Sequence, residues 1–61
     1  MAENPFSPPV RDHFDAGVIA LTQGRTDDAT THLTAVARQG THRDRLMLAD
    51  FLIAVRDTRQ S

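Results

Sequence analysis

Small and apolar residues recur at helical spacing through the middle of the chain. Phe14, Gly17 and Leu21 fall at i, i+3 and i+7, and Ala29, Leu33 and Val36 repeat an i, i+4, i+7 rhythm beyond a polar turn at Gly24. One small or apolar residue per helical turn marks a face to be buried, so both stretches predict amphipathic helices. A Gly inside the first and an Ala early in the second allow two antiparallel backbones to approach closely. The pattern predicts a helical hairpin over Phe14 to Gly40.

Start and stop signals set the boundaries. Ser7-Pro8-Pro9 reads as a helix start, with Ser at the N-cap and Pro in the first turn. The first helix then covers about 8–23 and buries Val10, Phe14, Gly17, Val18 and Leu21, with Ile19 pointing away. Phe6, just before the cap, has Arg11 rather than an apolar residue at its staple position, so it is assigned to covering the end of the bundle. Gly24 suits a left-handed position after the helix. Thr26 is read as the cap of a second helix over about 27–39, with Asp27 and Asp28 in the first turn, where the helix dipole favours negative charge. That helix buries Ala29, Leu33, Val36 and Ala37. Gly40 ends it, and Thr41-His42-Arg43-Asp44 has the spacing of a capping box, with Asp in place of Glu or Gln. A third helix follows over about 42–58. The expectation is an all-α, three-helix domain over 8–61, preceded by a flexible segment over 1–7.

The third helix carries more apolar surface than the hairpin can cover. Met47, Leu48, Phe51, Leu52, Ala54 and Val55 span an arc of about 160° at 100° per residue, and one such face can pack on the hairpin. Leu46, Ala49 and Ile53 form a second strip on the opposite side. A second copy of the chain or another protein is expected to bury that strip.

Size sharpens this expectation. A chain of 61 residues buries roughly 60 % of the surface its unfolded form exposes, which leaves a monomer marginally stable. There is no cysteine for a disulfide and no Cys/His cluster for a structural zinc. Self-association is a remaining source of stability. Residues 1–9 lack the basic and apolar run of a signal peptide, and no apolar stretch approaches the ~20 residues of a membrane span. Both point to a soluble, cytoplasmic protein.

Charge adds a modest constraint. Every basic residue is Arg and seven of the eight acids are Asp, a bias that looks like the codon usage of a GC-rich genome such as an actinobacterium or its phage. The net charge of −1 argues against a dominant phosphate-binding role, because non-specific nucleic-acid affinity comes mainly from Lys and Arg neutralising phosphates. The acids gather in the first half and the arginines in the second, so the halves attract weakly.

Candidate chemistry is sparse. His13, His32 and His42 are the three histidines. A zinc site needs several convergent ligands, and their spacing reveals none, so no metal site or cofactor is expected. Asp27 and Asp28 point about 100° apart on a helix and are explained by the dipole. Nucleophilic catalysis needs an activated side chain; no base is placed to activate Ser or Thr, and Cys, Lys and Tyr are absent. The composition predicts no catalytic residues and no small-molecule substrate.

Residues 14–40 resemble a single tetratricopeptide-like repeat, carried by Gly17, Gly24, Ala29, Leu33 and Val36 at the small and apolar positions of the two-helix unit. Ala20 stands where that family usually has Tyr, and Thr41 where Pro often ends the repeat. The resemblance implies a non-enzymatic protein–protein interaction or regulatory module. About three repeats normally build the family's solenoid groove, so one repeat and a helix imply an adaptor or homo-oligomer assembled through the third helix. The alternative is a small helix-turn-helix regulator, with Arg43 and Arg45 starting a recognition helix and Arg38, Arg56 and Arg59 near phosphates.

Overall fold

The computed structural model describes residues 4–60 and the side chains of 4–58; Met1, Ala2 and Glu3 of the expected flexible segment lie outside the described residues. Three helices follow in order: α1 (Pro8–Thr22), α2 (Thr26–Gln39) and α3 (His42–Gln60). No strand occurs among the described residues. The domain is all-α, with α1 and α2 side by side as a hairpin and α3 laid against α2.

The α1–α2 turn closes as the glycine position requires. Gly24 has φ of +75°, and the two N–H groups beyond the helix bond backwards, Gly24 to the Leu21 carbonyl at 3.2 Å and Arg25 to the Ala20 carbonyl at 2.9 Å. This is a Schellman closure, which satisfies carbonyls that the helix end would leave unpaired. The start of α2 differs from expectation. Arg25, not Thr26, is the N-cap, and Thr26 is the first helical residue with no side-chain cap bond to it. The Arg25 carbonyl accepts from Ala29 N–H at 3.0 Å, while its guanidinium bridges to Gln23 at 2.9 Å and Asp28 at 2.8 Å. The tight Schellman turn brings the chain into helical geometry one residue early.

Close approach of α1 and α2 depends on Gly17. A Cβ there would lie 2.7 Å from Leu33 Cδ2 and 3.5 Å from His32 Cβ, so the Leu33 side chain occupies the space that any larger residue would fill. Ala20 and Ala29 are also buried at this seam. Ala20 belongs to the buried set although the sequence pattern did not mark it.

The core is built around Phe6, Val10, Leu33, Val36 and Leu48. Phe6 is 3 % exposed, so it fills the core rather than merely covering an end. Its ring stacks on Phe14 at 4.2 Å, and Phe14 meets Phe51 of α3 edge-on at 5.0 Å. All three phenylalanines thus form one run from the N-terminal segment through α1 to α3, the Phe14–Phe51 pair in the edge-to-face geometry that aromatic rings favour. The segment before α1 is tied down further: Asn4 Nδ2 donates to the Arg11 carbonyl at 3.2 Å and to Asp15 at 2.8 Å, and Phe6 N–H donates to Asn4 Oδ1 at 3.0 Å.

Candidate functional site

Among the described residues, the most deeply buried charged group is not one the sequence singled out as a site. Asp44 is 2 % exposed in the first turn of α3. Its carboxylate accepts Thr41 N–H at 2.8 Å while Asp44 N–H donates to Thr41 Oγ1 at 3.2 Å, so the predicted capping box forms with Asp in the fourth position. The same carboxylate accepts the Ser7 N–H at 3.0 Å and the Ser7 hydroxyl. Ser7 makes no side-chain cap bond to its own helix. Pro9 removes the N–H at the second helical position that such a cap can serve, and the Val10 N–H at the third donates to the Ser7 carbonyl at 3.1 Å. The freed hydroxyl turns to Asp44, and the N-cap of α1 is locked to the N-terminus of α3. The Ser7 hydroxyl, followed by the Thr41 N–H, holds the Asp44 carboxyl down to about 2, since donors directed at a carboxylate favour its charged form. Gly40 completes the node: a Cβ there would lie 2.6 Å from the Val36 carbonyl and 2.7 Å from Asp44 Cβ. These partners give Asp44 a structural role.

The residues predicted to pack the hairpin lie together. Gly17, Ala29, Leu33 and Val36 are buried, while Phe14 and Leu21 are partly buried against the core. The predicted assembly strip is also one surface, and it faces solvent: Leu46 is 56 % and Ile53 58 % exposed, with Ala49 exposed between them. The inward arc of α3 is narrower than expected. Leu48 is buried and Met47, Phe51 and Val55 are half-buried, but Leu52 and Ala54 are exposed. The hairpin grips α3 through its first turns, at Asp44 and Leu48, and offers no third element to cover the remainder.

Apolar grooves therefore flank α3. One of about 310 Å³ is lined by Val18, Leu21, Thr22, Phe51 and Val55. Another of about 300 Å³ runs along α2, lined by Leu33, Ala37, Leu48 and Leu52 with Thr30 and Thr34. Their polar side chains are threonines, Thr22 in the first and Thr30 and Thr34 in the second.

Arg38, Arg43 and Arg45 are exposed around the α2–α3 junction. They do not converge on a common atom: Arg45 donates to the Gly40 carbonyl at 3.2 Å. Arg56 is also exposed, and the Arg59 side chain lies outside the described residues. Among the described residues no group of three or more His, Cys, Asp or Glu side chains could hold a metal ion, and no helix is long and apolar enough to cross a membrane. The structure does bring two histidines together that the sequence left apart. His13 and His32 meet across the hairpin seam, Nδ1 to Nδ1, at 3.3 Å.

No protein-family model, curated protein or solved structure matches the chain.

Proposed function

We infer that this protein is a small non-enzymatic interaction module that self-associates through the outer face of α3. The observation that carries the reading is the exposure of Leu46 and Ile53, 56 % and 58 %, on the same side of a helix whose other face already packs on the hairpin. Burying such surface stabilises by about 25 cal/mol per Å², which a chain this small needs. The close seam at Gly17 and Ala29 is compatible with a tetratricopeptide-like hairpin serving as the scaffold.

The charges beside the strip favour a second copy as the occupant. At 100° per residue, Arg45 and Arg56 lie along one flank of Leu46, Ala49 and Ile53, and Asp50 and Asp57 along the other, with Arg43 at its N-terminal end. Two α3 helices paired in parallel about a two-fold axis set the basic flank of one against the acidic flank of its partner. Antiparallel pairing sets like flank against like. Flanking charges of this kind govern partner choice and orientation in paired helices, so the assembly is a parallel dimer.

Light scattering over a concentration series tests the reading, with a dimer expected and a monomer at all concentrations overturning self-association. Orientation is read separately from single cysteines in this cysteine-free chain. In a parallel pair, Leu46→Cys and Ile53→Cys each crosslink to themselves. In an antiparallel pair centred on the strip, residue 46 faces residue 53 and only a mixture of the two variants crosslinks. Salt-dependent duplex binding abolished by Arg43→Ala and Arg45→Ala would favour the helix-turn-helix reading instead.

A further inference from the structure

We propose that His13 and His32 form a chelating pair for a late first-row divalent cation such as Zn²⁺. Their rings come from different helices, α1 and α2, and meet with Nδ1 atoms 3.3 Å apart and planes tilted by 36°. Like atoms face each other in this contact. Two arrangements satisfy both: one Nδ1 carries a proton and donates it to the other, or neither does and both lone pairs serve one cation. The separation is longer than the usual hydrogen-bond distance of about 2.9–3.0 Å. It is close to the about 3.3–3.4 Å between two nitrogens of a tetrahedral zinc site that lie about 2.0–2.1 Å from the metal, but with ring centroids 5.6 Å apart the two Nδ1 atoms face each other head-on, so both rings must turn to converge on one cation.

The backbone holds this spacing before any metal arrives. His13 lies one turn before Gly17, and His32 immediately precedes Leu33, whose side chain fills the space that a Cβ on Gly17 would take. The close approach that requires Gly17 therefore also sets the distance between the imidazoles. A cation bound to both nitrogens sits off the line joining them, which a swing of the rings about the broad χ2 of histidine accommodates. Both rings are half-buried, so the site keeps an open side. One turn before His32 on α2, Asp28 is paired with Arg25 at 2.8 Å. The protein provides two ligands, and water takes the remaining positions. Imidazole nitrogen suits zinc, copper and nickel, with copper favoured by the general affinity order. The two histidines belong to α1 and α2, whereas the strip at Leu46, Ala49 and Ile53 belongs to α3.

The test is calorimetric titration of the untagged chain with Zn²⁺, together with melting curves with and without metal. Saturable binding and a melting temperature that rises with Zn²⁺ are expected. Losing even an outer partner of a metal ligand costs about 10–100-fold in affinity, so His13→Gln and His32→Gln should each weaken binding at least about tenfold. His42→Gln, in the exposed first turn of α3, should leave it unchanged. No binding, or binding equally strong without His13 or His32, overturns the proposal. Should either variant fold poorly, side-chain ¹⁵N spectra of the native chain decide: Zn²⁺ must move the Nδ1 signals of His13 and His32 and spare those of His42, and the reverse pattern overturns the site.

Discussion

Ser7 and Asp44, separated by 37 positions in the chain, are joined by two hydrogen bonds to one carboxylate, from the Ser7 N–H and the Ser7 hydroxyl. The same carboxylate caps α3 through Thr41. One buried charge thereby fixes where α3 begins and where α1 begins, and sets the two against each other. In a domain with a small core, this link helps to place α3 and with it the exposed strip at Leu46, Ala49 and Ile53.

Asp44→Asn should lower the melting temperature at neutral pH by more than Asp50→Asn, because an amide cannot accept from every donor that converges there and Asp50 is exposed. Ser7→Ala should act in the same direction by removing the hydroxyl. The double variant should lose less than the sum, since both substitutions disrupt one network. Additive losses by thermal denaturation would show that Ser7 and Asp44 act separately.

The same group predicts an acid-sensitive component of stability. Folding lowers the Asp44 carboxyl to about 2, below the ordinary value of about 3.9 for an unfolded aspartate. The unfolded chain therefore takes up the proton first as pH falls. The contribution is fully present above about pH 5, declines as pH drops through the unfolded value, and is gone below about pH 2. Circular dichroism melts from pH 6 to pH 2 should show this loss in the native chain and a flatter profile in Asp44→Asn.

Gly17→Leu should destabilise the hairpin by about 1–3 kcal/mol, the usual cost of overpacking a filled contact. The Leu33 side chain and the seam between α1 and α2 leave no room for the added atoms. Because the same approach holds His13 near His32, the variant should also bind Zn²⁺ more weakly. Unchanged melting and unchanged metal affinity would place the helix contact elsewhere.

Ile53→Asp should convert the proposed dimer to a helical monomer and lower its melting temperature. The substitution puts a charge into the strip, where pairing would desolvate it. Sedimentation and circular dichroism together read the outcome; a helical variant of unchanged mass would exclude this face from the assembly.

Local patterns determined the helices and the hairpin. Apolar residues at helical spacing, Ser7-Pro8 at a start, Gly24 at a stop and the Thr41–Asp44 box are short-range signals, and each found its counterpart in the fold. The exposed strip at Leu46, Ala49 and Ile53 was legible too, since a two-helix hairpin can bury only one face of a third helix. Tertiary structure alone decided the rest. Phe6 entered the core and Ala20 the seam because of what lies opposite them, and Leu52 stayed outside because nothing lies opposite it. Ser7 reached Asp44, and His13 reached His32, through distances set by how α1, α2 and α3 pack. Helical periodicity specifies which residues share a face, but the partner that the face meets depends on chain segments many turns away.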